Sequence, residues 1–331
     1  MVGSHAPTQA PSQSNQQWRF ERTEAQMGVP FKIIVYAENE HTANKALTAA
    51  FERIAALNTI FSDYDPNSEL SRLCRLSGPN TPITVSPELF DILTTSAEIS
   101  NKSSAAFDVT VGPYVRLWRR ARRQKELPDA TRLEEAQSLV GHQKVMLDQK
   151  ERTVELQSHN MRLDLGGIAK GYATDEAMRV LKHHGITSAL IDASGDLLVS
   201  NPPPGKDHWT IGIAALRQPE GQTSEFLHIS NRAVATSGDA YQFVEIDGQR
   251  YSHIVNPQTG MGLTSRSSVT VVAPNATLAD AWASAVSVMG PADGLRALSR
   301  ERNISALVMQ LRDGKSHAQR SCDFPKTFAA E

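Results

Sequence analysis

The chain has only two cysteines, Cys74 and Cys322, in unrelated contexts. They fit no metal-ligand spacing and no redox pair, so a disulfide framework, a zinc module and a thioredoxin-like centre drop out, and two free thiols are expected. Long apolar runs are lacking as well. No stretch of about 18 apolar residues occurs, which excludes a membrane-spanning helix. Nor does one sign of charge dominate: 34 Lys and Arg face 36 Asp and Glu, a formal net charge of −2. That balance gives no global attraction to nucleic acid. The one basic run, Arg116, Arg119, Arg120, Arg122, Arg123 and Lys125, has no interleaved aromatics and reads as a solvated helix end. No internal repeat with a period of about 20–50 residues is present, so solenoids and propellers are excluded.

What remains is 40% hydrophobic and 21% charged, the composition of an ordinary soluble globular chain. Met1 to Gln17 are rich in Ser, Gln, Pro and Ala without an apolar h-region, and are expected to be a disordered leader. From there, strands and helices mix without strict alternation. Phe31–Ala37 reads as a strand, and His41–Phe61 carries Leu47, Phe51, Ile54 and Leu57 at helical spacing. Ser86-Pro87-Glu88 starts a helix running to about Ser100. Short strands follow near Lys144–Asp148, Thr153–Leu156, Ser188–Asp192 and Leu197–Ser200. Tyr241–Ile246 and Arg250–Val255 flank Asp247-Gly248 as a hairpin. This order argues for an α+β fold over a doubly wound sheet.

The most informative segment is Asp164-Leu-Gly-Gly-Ile-Ala-Lys-Gly-Tyr-Ala173. Met161, Leu163 and Leu165 alternate as a half-buried strand would. From Ile168 onward, Tyr172, Ala173, Ala177, Val180 and Leu181 follow a helical period, and Gly185 is placed to end the helix. Gly166 and Gly167 therefore sit where a strand turns into a helix N-terminus. Free N–H groups and the helix dipole favour phosphate at such a place, and Lys170 adds a cation. The pattern is neither Walker A nor G-x-G-x-x-G. A plain tight turn with an exposed lysine stays open on this segment alone.

Four weaker signals accompany it. A helix at about Thr277–Met289 has a buried stripe of Leu278, Trp282, Ala285 and Met289, with Asp280 and Ser284 four apart on the other face. That pair offers two hard oxygens to Mg²⁺ or Ca²⁺, or is simply a polar face favourable to the dipole. In the strand ending at Asn256-Pro257, alternation puts Tyr251, His253 and Val255 on one face. His253 there is a candidate acid/base or phosphate ligand, or a structural donor. Val234–Asp239 reads as a small-residue turn after a strand. At Phe61-Ser-Asp-Tyr-Asp-Pro66 a helix breaks at a polar turn, and Tyr64 could stack on a flat ligand or pack at the core rim.

Taken together and in order, these stretches make the chain resemble the flavin transferases of the ApbE family, which move FMN from FAD onto a protein threonine. The matching stretches are Met27-Gly28, Phe61–Leu73, Phe107–Pro113, Asp164–Ala173, Ala235–Asp239, Ser252–Gly260 and Ala279–Ser284. The resemblance implies an ApbE-like domain over residues 18–331, with mixed sheets, flanking helices and an FAD cleft between two subregions. It implies FAD contacts at Met27, Tyr64, Ala106, Phe107, Asp108, Asp164, Lys170 and Ile254. It implies a Mg²⁺ site, with Mn²⁺ as a substitute, on the backbone carbonyl of Gly167 with Asp280 and Ser284. His253 falls near the diphosphate, and His253 and Asp280 are the expected catalytic residues. The expected reaction transfers FMN to a threonine hydroxyl of an acceptor protein through a phosphoester bond and releases AMP. Hydrolysis of FAD to FMN and AMP, or FAD binding without turnover, are the alternatives. The implied partner is a membrane-associated redox subunit carrying a threonine motif. Four positions depart from the family's common residues: Val29 for Thr, Cys74 for Asn, Asn256 for Asp and Ser284 for Thr. The family's usual lipoprotein cysteine is also missing, so the compartment stays open between periplasm, membrane surface and cytoplasm.

Overall fold

A computed structural model describes residues 16–214, 223–238 and 243–329. The chain opens with β1 (Trp18–Gln26), β2 (Val29–Ala37), α1 (Glu40–Phe61), α2 (Glu69–Leu76), β3 (Ile83–Thr84) and α3 (Pro87–Lys102). It continues through α4 (Gly112–Gln124), α5 (Ala130–Leu139), β4 (Val145–Asp148), β5 (Thr153–Leu156), α6 (Ala169–His183), β6 (Ala189–Ala193) and β7 (Asp196–Val199). Next come β8 (Trp209–Ala214), β9 (Thr223–Ile229), β10 (Arg232–Gly238), β11 (Phe243–Ile246), β12 (Gln249–Ser252) and β13 (Ser267–Ala273). The last elements are α7 (Ala276–Leu298), β14 (Ser305–Arg312), β15 (Lys315–Arg320) and β16 (Thr327–Ala329).

Eight strands form one antiparallel sheet in the order β1-β2-β6-β7-β10-β13-β14-β15. Both of its faces are covered, which is why β2 reads as a nearly continuous apolar run. Phe31, Ile33 and Val35 point into a large core shared with α1, α6 and α7, whereas Ile34 points the other way. The opposite layer is the small sheet β16-β9-β8, whose Trp209, Ile211 and Leu227 meet Leu190, Val199 and Val272. A third cluster stands apart. Tyr114, Trp118 and Ala121 of α4 pack with Ala136 of α5, with Val244 and Ile246 of β11, and with Val255. The fold is thus α+β with flanking helices, as the mixed element order implies.

Local signals are met where caps are explicit. Asn39 accepts from the Thr42 N–H to start α1, and Ser86 accepts from the Leu89 N–H to start α3. Met27 and Gly28 are both left-handed, the two-residue turn that matches the twist of β1 and β2. Asp247 and Gly248 repeat that turn between β11 and β12. Both cysteines are free thiols. No described helix is long and apolar enough to cross a membrane.

Four expectations need correction. Residues 161–165 are extended and bury Met161, Leu163 and Leu165 alternately, yet they form no strand. Their N–H groups go elsewhere: Asp164 donates to the Val109 carbonyl and Leu163 to the Cys74 sulfur. The segment 234–238 is the body of β10, paired with β7 and β13, and not a turn. Strand β12 stops at Ser252, whose hydroxyl accepts from the Ile254 N–H, so His253 lies beyond the regular alternation. The last helix continues past Met289 after a break at Gly290, next to Pro291, and its first half is buried on nearly every side. Residues 1–15, most of the expected leader, lie outside the described residues, as do Asp239 and Tyr241.

Candidate functional site

The site is built where α6 and α7 begin side by side. Each helix caps the other. Asp175 of α6 accepts from the Ala276 and Thr277 N–H groups, at 2.8 and 2.9 Å, and from the Thr277 hydroxyl. Asp280 of α7 returns the bond, taking the Gly171 N–H in the first turn of α6 at 3.1 Å. These carboxylates satisfy N–H groups that a helix leaves without intrahelical partners. The close approach needs Gly171, because a Cβ there would sit 2.3 Å from the Ala276 carbonyl oxygen. Asp280 is therefore only 5% exposed. It is not on a solvent face opposite the core, as the stripe of Leu278, Trp282 and Met289 suggested.

Lys170 lies in the same turn and reaches two buried carboxylates. It pairs closely with Asp196 and stands 3.6 Å from Asp280 Oδ1. Burial works against its ammonium, yet Asp280 and Asp196 beside it hold its pKa above the ordinary lysine range. Burial, with Asp196 adding to it, outweighs the opposing pull of Lys170 and the Gly171 N–H and pushes the Asp280 carboxyl up to about 7. The lysine is thus firmly cationic, and of the two acids it is Asp280 whose Oδ1 it holds loosely. Asp196 has no counterpart among the residues expected from sequence. It opens β7 directly after the left-handed Ser194 and Gly195, 4% exposed. The Ser194-Gly195 turn rests on the β1–β2 hairpin through the Ser194 hydroxyl and the Pro30 carbonyl. That contact places Met27's hairpin beside Asp196.

The glycine turn joins this cluster to the rest. A Cβ on Gly167 would meet Ser284 Oγ at 3.0 Å and Phe107 Cε2 at 3.4 Å, so all three residues converge. Phe107 arrives there because α3 ends in two consecutive left-handed residues, Ser104 and Ala105, which swing the chain back. Asp108 follows directly on Phe107. Its carboxylate is spent on the Thr110 N–H and hydroxyl and on the His142 N–H. A cavity of about 430 Å³ opens beside Ala106, lined also by Ser104, Asn256, Gln258 and Met289. A larger cleft of about 670 Å³ lies behind α6, around the Arg53, Glu88 and Glu176 ion pairs, and shares no side chain with this site.

On the other flank, Asp164 accepts from the Gly166 N–H at 2.8 Å and meets Arg119 at 3.4 Å. Burial raises its pKa and Asp63 adds to the rise, while the Gly166 N–H and Arg119 oppose both. Arg119 also binds Asp63 at 2.6 Å and lies over the Tyr64 ring, 3.9 Å from its centroid. Arg119 is therefore not part of a solvated helix end. Sequence reasoning missed it because its partners come from 45 and more residues away. Helix α4 further anchors the loop bearing His253 and Ile254. Trp118 donates to the Gly260 carbonyl at 2.7 Å and stacks near Tyr251. His253 and Ile254 are both half-buried on that loop, ahead of the bridge between Val255 and Gly262.

The donor set decides which cation the α6–α7 junction fits. The described residues contain no group of three or more His, Cys, Asp or Glu side chains placed to hold a metal. Asp280 and Ser284 supply hard oxygens, and Ser284 Oγ lies against Gly167. That sparse set suits magnesium, which keeps water and phosphate in its shell, and does not suit a structural zinc.

Lys170 and two buried carboxylates meet where α6 and α7 begin, beside the glycine turn, at a helix N-terminus of the kind that receives phosphate. Comparison with known proteins specifies the family. The flavin transferase ApbE from Vibrio cholerae superposes with a TM-score of 0.84 at 26% identity, covering 93% of this chain and 98% of that one. The ApbE protein of Thermotoga maritima gives 0.81 at 28% identity, covering 92% and 97%. The FAD:protein FMN transferase of Escherichia coli K12 is 30% identical over 269 residues, 80% of this chain and 76% of that protein. The Treponema pallidum protein of the same name is 30% identical over 289 residues, 82% and 79% of the two chains. The ApbE family pattern itself matches residues 27–308. The chain belongs to the ApbE family.

Proposed function

We propose that this chain transfers FMN from FAD to a threonine hydroxyl of an acceptor protein and releases AMP. The observation that carries the reading is the convergence of Lys170, Asp196, Asp280 and Ser284 on the first turn of α6, beside Gly167. Phosphoryl chemistry needs positioning and charge neutralisation more than covalent help. In this reading the glycine turn and the helix N-terminus take the FMN phosphate, and Lys170 faces the charge that develops on the diphosphate. The acceptor oxygen bonds to the FMN phosphorus as the bond from that phosphorus to the bridging oxygen breaks. The electron pair leaves with AMP, and the hydroxyl proton passes to a base at the site, with Asp280 and His253 as the proton-transfer residues. Tyr64, Met27, Ile254, Asp164 and the backbone of Ala106, Phe107 and Asp108 seat the FAD.

Gly167, Asp280 and Ser284 would hold Mg²⁺, or Mn²⁺ in its place. A cation there supplies charge neutralisation at the diphosphate and the departing phosphate. The acceptor is a separate protein with a threonine motif, a membrane-associated redox subunit by family likeness. Mass spectrometry of a candidate acceptor after incubation with the chain, FAD and Mg²⁺ tests the reading. The expected result is the FMN mass on a threonine, with AMP appearing only when acceptor is present. AMP released equally without acceptor would make the chain an FAD hydrolase. Tight FAD without any AMP would make it a flavin-binding protein.

A further inference from the structure

Tyr64 is 76% exposed, an unusual state for a ring held in a defined turn. Its position is set by Ser62, whose hydroxyl accepts from the Tyr64 and Asp65 N–H groups. One face of the ring is covered by the Arg119 guanidinium at 3.9 Å, so its exposure lies on the other face. Arg119 is itself fixed from two sides. Nη1 binds Asp63, the neighbour of Tyr64, at 2.6 Å, and Nη2 reaches Asp164, two residues before the glycine turn, at 3.4 Å. One planar group thus ties the aromatic turn to the segment that leads into the phosphate-binding helix. Only a forked guanidinium can meet two carboxylates and a ring at once.

We infer that Arg119 is a positioning residue for FAD. It backs the Tyr64 ring, holds the open face towards the cleft, and fixes the distance between that platform and Asp164. The inference rests on the reading that Tyr64 contacts FAD. Without Arg119 the ring is free to turn on its exposed loop, and the partly buried Asp164 loses its only ion pair given by the described residues.

The test measures FAD affinity by quenching of flavin fluorescence, KM and kcat for AMP release with an acceptor, and melting temperature. Its variants are Arg119→Ala, Arg119→Lys and Tyr64→Ala. Arg119→Ala is expected to weaken FAD binding about 2–30-fold, the range of cation–π contacts from exposed to desolvated, with the loss falling in KM. Arg119→Lys keeps a charge for Asp63 but not the fork. It should recover the melting temperature and less than half of the lost affinity. If Arg119→Ala binds FAD as the native chain does while Tyr64→Ala does not, the clamp is overturned and the Tyr64 reading stands. If neither variant changes affinity, the Tyr64 reading fails with it. Full recovery of affinity in Arg119→Lys, or a loss confined to kcat, would also overturn the clamp. Should Arg119→Ala not fold, the lysine variant decides.

Discussion

The two ends of the site are built on opposite physical plans. At the α6–α7 junction, Asp196 and Asp280 are withdrawn from water and Lys170 partly so, and their charges act on one another at short range. At the other end Tyr64 stands in solvent, and its orientation depends on a single guanidinium behind it. The buried end is preorganised for charge, where interactions are strong and each loss is costly. The exposed end offers a flat face, where stacking contributes a modest and separable amount. One end should therefore govern rate and the other affinity.

That division can be broken at its strongest point first. Asp280→Ala should lower turnover about 10²–10³-fold, the scale of losing one main electrostatic stabiliser. Chelation by EDTA should abolish AMP release, and Mg²⁺ or Mn²⁺ should restore it. The same substitution also strips the Gly171 N–H of its acceptor, so a stability loss of about 1–3 kcal/mol, read as a lowered melting temperature, should accompany the kinetic loss. Turnover unaffected by chelation would return Asp280 and Ser284 to being a helix cap and a neighbour.

The exposed end should respond less and differently. Tyr64→Ala should weaken FAD binding by about 1–3 kcal/mol, by analogy with stacking of bases on aromatic side chains. Riboflavin, which has the ring but no diphosphate, should lose a similar factor with Tyr64→Ala and almost nothing with Asp280→Ala. If Asp280→Ala weakens riboflavin and FAD equally, the two ends are not separable. Smaller still is Ser284→Ala, expected to cost less than about tenfold in turnover, because water replaces a neutral hydroxyl at a cation. A loss as large as that of Asp280→Ala would give the hydroxyl a role of its own.

The smallest effect is in pH. Burial raises the Asp280 carboxyl from an ordinary value of 3.8 to about 7, so the folded chain holds this proton more tightly than the unfolded chain. The stability this contributes is fully present below about 3.8 and is lost as pH rises through about 7. Metal-free melting temperatures at roughly pH 5 and roughly pH 8 test the sign. The native chain should lose more on going to the higher pH than Asp280→Asn does. An equal or smaller loss in the native chain would mean that Lys170 keeps the carboxylate ionised throughout.

Much of the architecture was legible because it rests on local rules. The Ser86 cap, the Asp247-Gly248 hairpin and the helical period after Ile168 each follow from neighbouring residues alone. The segment 161–165 was half legible: its alternation reports burial correctly, but alternation cannot say whether a strand partner exists. The pairing of Asp280 with Ser284 was readable as an i,i+4 spacing, whereas the burial of Asp280 was not. Nothing within α7 announces that α6 will press against it closely enough to require Gly171.

By itself, the sequence determined the family, the two helices and the glycine turn that opens the first of them, since these depend on residue types at short spacing. Only the tertiary structure decided that Asp196 holds Lys170, that Asp175 and Asp280 exchange caps, and that Arg119 lies behind Tyr64. Lys170 and Asp196 are 26 residues apart, and the exchanged caps span 101 and 109 residues. Charge and stacking act through space, over a few ångströms, and have no periodicity along the chain from which they could be read.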